Sequence, residues 1–160
     1  MSSENNVQIL VDPATEGRSE SISDERNENA ERVSIVNSTR LIWFIDDDII
    51  NNLLSDRLMK KHHSSYHCRT FTGAEEPLEL LKAKGPEIPY AIFLDINMPR
   101  MSGWDFLDEF LGHMPETKVK VFMLSSSIDP QDHQKAKHYS AVREFISKPL
   151  KEERLRLLLD

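Results

Sequence analysis

Apolar residues in this chain fall into short unbroken runs separated by stretches with helical spacing. Leu41-Ile-Trp-Phe-Ile45 and Tyr90-Ala-Ile-Phe-Leu94 are runs of strand length. A strand buried on both faces reads this way, because helices cover both sides of its sheet. Lys118–Leu124 predicts another such strand, Tyr66–Phe71 a weaker one and Glu144–Ser147 a short one. Between them, Ile49, Ile50, Leu53, Leu54 and Leu58 have the spacing of one helix face. Thr72 and Glu75 have capping-box spacing ahead of a helix carrying Leu78 and Leu81, with Gly85-Pro86 as its stop. Ser102 and Asp105 repeat that spacing ahead of Trp104, Leu107, Phe110 and Leu111. Asp129-Pro130 is a cap and first-turn pair for a polar fourth helix. With only Ala136 and Tyr139 to bury, that helix is expected to be loosely held. Leu150–Leu159 closes the chain as an apolar-rich helix.

Strand and helix therefore alternate five times, which implies an α/β fold with a parallel sheet between two helical layers. Right-handed crossovers limit how such a sheet is wound. A flavodoxin-like (βα)5 doubly wound sheet in the order 2-1-3-4-5 fits five strands. Residues 1–39 are expected to be a disordered polar tail, and 40–160 the domain. The first segment is rich in Ser, Glu, Asn and Arg, has no aromatics, and carries one apolar patch at Ile9-Leu10-Val11. Such a composition buries too little apolar surface to offset its ordering entropy.

Composition excludes several functions. The net charge of −7 argues against a nucleic-acid face. No apolar run approaches the ~20 residues of a membrane span, and no secretory signal opens the chain. The single cysteine, Cys68, rules out a disulfide framework within the chain. It suits a reducing compartment, so the expected location is the cytoplasm.

Four polar features fall at strand C-termini, which share one edge of a parallel sheet: Asp46-Asp47, Asp95, Ser125 and Lys148. Close carboxylates repel one another, and at least one would be forced towards its neutral form. A divalent cation removes that conflict, and Mg²⁺ is typically held by one or two carboxylates together with phosphate. Lys148 adds a charge suited to phosphate and Ser125 a hydroxyl donor. The edge is thus equipped to neutralise a phosphoryl group on Asp95, a known form of carboxylate nucleophile.

The acidic pair, the Leu-Asp-Ile-Asn-Met-Pro-Arg-Met-Ser-Gly loop at 94–103, Leu124-Ser-Ser and Phe145-Ile-Ser-Lys-Pro-Leu150 occur in the order seen in response-regulator receiver domains. Over roughly 40–160 the chain resembles that family of two-component signalling. The resemblance implies Asp95 as phospho-acceptor, Asp47 as direct Mg²⁺ ligand and Asp46 acting through metal-bound water. It implies that Asn97 gives its backbone carbonyl to the metal. It also makes Ser125 the switch hydroxyl, Phe145 the switch aromatic and Lys148 the phosphate partner, with a cis bond before Pro149. A histidine kinase or phosphotransfer protein would be the donor and a further protein the output. A homodimer through the face of the fourth helix, fifth strand and fifth helix is a further expectation. The family often has a small residue shortly before its fifth strand. Here Tyr-Ser-Ala-Val-Arg at 139–143 replaces it, so a differently shaped surface is expected there. With nothing after the last helix, a stand-alone receiver is expected, catalysing only its own phosphorylation and dephosphorylation.

Plainer roles compete for some residues. Asp48 reads better as a helix cap than as a third ligand, and Trp104 and Phe110 read as helix packing. His62, His63 and His67 straddle a helix end and turn, a poor arrangement for a metal site. Two rival functions remain. One is a phosphate-independent interaction module. The other is a haloacid-dehalogenase-like phosphatase using Asp46 and Asp48; Ile50 breaks its motif, and Asp95 would have no role.

Overall fold

A computed structural model describes residues 40–83, 85, 87–127 and 129–159. The expected tail, and Pro86 of the expected helix stop, lie outside the described residues. Five strands, β1 (Arg40–Ile45), β2 (Tyr66–Phe71), β3 (Ala91–Asp95), β4 (Lys120–Ser125) and β5 (Val142–Ser147), alternate with five helices. The helices are α1 (Ile49–His62), α2 (Glu75–Lys82), α3 (Gly103–His113), α4 (Pro130–Ala136) and α5 (Glu152–Leu159). All neighbouring strands pair in parallel, in the order β2-β1-β3-β4-β5, as the alternation predicts.

The two faces of the sheet carry separate cores, because successive strand residues point to opposite sides. Trp43, Ile45, Ile92, Leu94, Val121 and Met123 pack with Leu78 and Leu81 of α2, Phe106, Leu107 and Phe110 of α3, and Ala136 of α4. Ile42, Phe44, Phe93, Phe122 and Leu124 pack on the other side with Met59 of α1 and Leu155 and Leu159 of α5. There the rings of Phe44, Phe93 and Phe122 stack across three strands at 4.7 and 4.9 Å.

Four helices add to the sequence reading or differ from it. The stripe of α1 faces outward: Ile49, Ile50, Leu53 and Leu54 are 68, 60, 43 and 48% exposed. Its buried face is Asn52, Ser55 and Met59 instead. Leu157 of α5 is also exposed, at 70%. The Thr72–Glu75 box does not form, since α2 starts from Ala74 in helical conformation with no side-chain cap. Glu75 pairs with Arg100 at 2.8 Å instead. The fourth helix is better anchored than its two apolar residues suggest. Tyr139, just beyond α4, stacks on Trp104 of α3 at 5.7 Å and donates its hydroxyl to Asp108 at 2.8 Å. Asp132 accepts from the Trp104 indole N–H at 3.3 Å, and Lys135 lies over the same ring at 4.8 Å. The β4–β5 pairing shifts register between Val121 and Phe122. Among the described residues no helix is long and apolar enough to cross a membrane.

Candidate functional site

Asp46, Asp95 and Lys148 meet at the C-terminal edge of the sheet. Asp46 follows β1, and its N–H donates to the Phe71 carbonyl at 3.1 Å, one step beyond the last β1–β2 pair. Asp95 ends β3, a strand buried along its whole length. The chain then turns sharply, with the Ile96 N–H on the Leu124 carbonyl and the Gly103 N–H on the Ile96 carbonyl. Gly103 is required by that packing: a Cβ there would lie 2.4 Å from the Asp95 carbonyl oxygen. Arg100, inside the turn, takes the left-handed conformation with φ 68°. The Ser102–Asp105 capping box is present in both directions and starts α3 behind Asp95. The α1 cap is Asp48, whose carboxylate accepts from the Ile50 N–H at 2.8 Å.

Lys148 is held by its backbone N–H on the Ser125 carbonyl at 2.8 Å and is followed by a cis bond to Pro149. Its Nζ lies 2.6 Å from Asp46 Oδ2 and 3.0 Å from Asp95 Oδ1. Both carboxylates are almost wholly buried, at 2 and 4% exposure, whereas Asp47 is exposed. Asp46, Asp47 and Asp95 each offer an oxygen within 4.8 Å of the others. Among the described residues they are the one set of His, Cys, Asp and Glu so placed. Hard oxygens carrying three negative charges against one lysine fit a divalent cation such as Mg²⁺. Burial pushes the Asp95 carboxyl above the usual carboxylate range, further raised by Asp46, while Lys148 and the Asn97 N–H oppose the rise. Burial alone would lower the Lys148 ammonium, but its bonds to Asp46 and Asp95 hold it above its ordinary value.

Ser125 is fully buried, and its Oγ accepts from the Ser127 N–H at 3.0 Å, which leaves the hydroxyl proton free to donate. Asn97 is exposed in the turn after Asp95. Phe145 is half-buried on β5, with the His133 ring of α4 against it at 4.0 Å between centroids. Of the three expected non-ligand histidines, His62 pairs with Glu152 at 3.0 Å and His63 is buried.

Sequence reasoning missed two neighbours of Asp46. Asn51 Nδ2 donates to its carboxylate at 3.2 and 3.4 Å, and Asn52 Nδ2 to its backbone carbonyl at 2.8 Å. Their signal was two adjacent amides between the apolar pairs Ile49-Ile50 and Leu53-Leu54. His133 was also missed, because nothing in the sequence sets it opposite Phe145.

Residues 42–160 match the family model of the response regulator receiver domain. A protein-glutamate methylesterase/protein-glutamine glutaminase of Burkholderia thailandensis is 34% identical over 113 residues, 68% of this chain and 29% of that protein. A two-component response regulator of Arabidopsis thaliana is 31% identical over 112 residues, 70% of this chain and 18% of its own. The chain thus spans less than a third of the length of either relative. Among solved structures, a two component response regulator from Cytophaga hutchinsonii aligns with a TM-score of 0.68 at 32% identity. That alignment covers 75% of this chain and 93% of the other.

Proposed function

The chain belongs to the response regulator receiver domain family, and from that membership and the site geometry we propose that it is a phosphorylation-controlled signalling switch. The observation that carries the reading is Lys148 bridging Asp46 and Asp95, 2.6 and 3.0 Å away, with Asp47 beside them. Asp95 is the acceptor: a carboxylate oxygen forms the new bond to phosphorus as the P–N bond to a donor imidazole breaks. The electron pair leaves with the imidazole nitrogen, which then takes up a proton. Asp46, Asp47, Asp95 and the Asn97 carbonyl would hold Mg²⁺, which would supply neutralisation of the charge on the phosphoryl oxygens. Lys148 pairs with the same oxygens once it leaves Asp95, and the Ser125 hydroxyl donates to them. Phe145 then turns inward, away from His133, and the face of α4, β5 and α5 changes for a downstream protein or a second copy. The domain performs no chemistry beyond its own phosphorylation and dephosphorylation.

The donor is a histidine kinase or phosphotransfer protein. The exposed Ile49, Ile50, Leu53 and Leu54 support this, since they start three residues after Asp46 and offer a donor helix an apolar face beside the acceptor. A reducing cytoplasm suits the single cysteine, whose thiol burial pushes up to about 12. A phosphatase that used Asp46 as nucleophile is disfavoured, because that carboxylate already accepts from Lys148, Asn51 and the Asp48 N–H.

The test is acetyl phosphate with Mg²⁺, followed by borohydride trapping and peptide mass analysis. The expected adduct sits on Asp95 and is absent from Asp95→Asn and without Mg²⁺. An adduct on Asp46 instead would overturn the reading in favour of the phosphatase.

A further inference from the structure

We propose that Asn51 and Asn52 act together as positioning residues for Asp46, and so set the affinity of the carboxylate edge for its divalent cation. The inference rests on the proposed Mg²⁺-dependent reading and assigns a role to residues outside its ligand set. The two amides hold one residue from both ends. Asn51 Nδ2 donates to the Asp46 carboxylate, 3.2 Å from Oδ2 and 3.4 Å from Oδ1. Asn52 Nδ2 donates to the Asp46 carbonyl at 2.8 Å and to the Phe71 carbonyl at 3.0 Å. The Phe71 carbonyl also accepts from the Asp46 N–H, so Asn52 locks the point where β1 and β2 stop pairing.

The burial of Asn52 is informative. It is 5% exposed on the inner face of α1, and its Oδ1 has no hydrogen-bond partner among the described residues. A buried amide with one unpaired atom is unfavourable compared with an apolar side chain of similar size. Packing alone would therefore place a leucine there, and the two carbonyls that accept from Nδ2 give the amide its purpose. Asp46 shares the edge with Asp47 and Asp95, and the single Lys148 between Asp46 and Asp95 offsets only part of their mutual repulsion, so further restraint of Asp46 is useful. The Asn51 bonds are the long ones on this carboxylate; Oδ1 also accepts from the Asp48 N–H at 2.9 Å and Oδ2 from Lys148 at 2.6 Å. A cation or its water would therefore take the Oδ2 position that Lys148 gives up when it turns to the phosphoryl oxygens. Residues that orient metal ligands in this way typically change metal affinity when removed.

The experiment titrates Mg²⁺ into the full chain by calorimetry and measures the thermal midpoint of each variant without metal. Asn51→Leu is expected to keep the midpoint and to raise the Mg²⁺ dissociation constant about 10-fold. Asn51→Gln, which keeps the donor, is expected to recover part of that loss. Asn52→Leu is expected to weaken Mg²⁺ by at least as much, even if its midpoint rises. If Asn52→Leu does not fold, the Asn51 pair decides alone. Unchanged Mg²⁺ affinity in Asn51→Leu, with wild type binding Mg²⁺ and Asp47→Ala not, would overturn the positioning role and leave the parent reading intact. Failure of wild type itself to bind Mg²⁺ would overturn both.

Discussion

Helices α1 and α3 both start from the edge that carries the carboxylates, and they are built the opposite way round. In α3 the apolar side chains Trp104, Phe106, Leu107 and Phe110 are buried against β1, β3 and β4, and the polar ones face water. In α1 the apolar residues Ile49, Ile50, Leu53 and Leu54 face water, and the inner face holds Asn52, Ser55 and Met59. The same helical period thus serves two purposes. In α3 it fixes the wall behind Asp95; in α1 it leaves an apolar face exposed outside, while on the inner face Met59 packs in the core and Asn52 bonds the ends of β1 and β2. An amphipathic stripe reports that a helix has two faces, and only the neighbouring elements decide which one is inside.

Substitutions separate the two roles, beginning with the wall. Phe106→Ala removes a fully buried ring and is expected to cost about 3–5 kcal/mol in chemical denaturation. A loss under about 1 kcal/mol would mean that α3 is not the wall described. Ser102→Ala removes one arm of the capping box and should cost about 1 kcal/mol, read from the same curves. Asp95→Asn sharpens the contrast through pH. A carboxyl raised by burial holds its proton more tightly when folded, so wild-type stability from this group is present at low pH and falls as pH rises through the folded-state value. The asparagine variant escapes that loss. Its thermal midpoint is expected to match wild type at acid pH and to equal or exceed it at pH 7; a clearly lower midpoint at pH 7 would contradict the assigned direction. Leu53→Ser with Leu54→Ser, on the exposed face of α1, should change stability by no more than about 0.5 kcal/mol per site.

Much of this was legible in the sequence. The unbroken runs at 41–45 and 90–94 fit their burial on both faces, and strand alternation led to the observed sheet order. Asp46, Asp47, Asp95, Ser125 and Lys148 fell at the ends of strands β1, β3, β4 and β5, and parallel pairing put those ends on one edge. The Ser102–Asp105 box and the Asp48 and Asp129 caps were legible because a cap depends on bonds within one turn. Thr72–Glu75 had the same spacing and failed, since Glu75 finds Arg100, a residue 25 positions away in the chain. The anchoring of α4 was hidden for a similar reason: Trp104 and Asp108 reach it from another helix. Asn52 was hidden because a buried amide looks like any other polar residue until the carbonyls it serves are in place.

The most direct test of the division between α1 and the carboxylate edge compares two donors on the Leu53→Ser/Leu54→Ser variant. Acetyl phosphate needs no docking face, whereas a phosphorylated histidine phosphotransfer protein does. Phosphorylation of Asp95 by acetyl phosphate is expected at the wild-type rate, with transfer from the protein donor slower by about 10-fold or more, the scale of a lost interface anchor. Equal slowing with both donors would place the defect in the chemistry, and unchanged transfer from the protein would remove α1 from donor recognition.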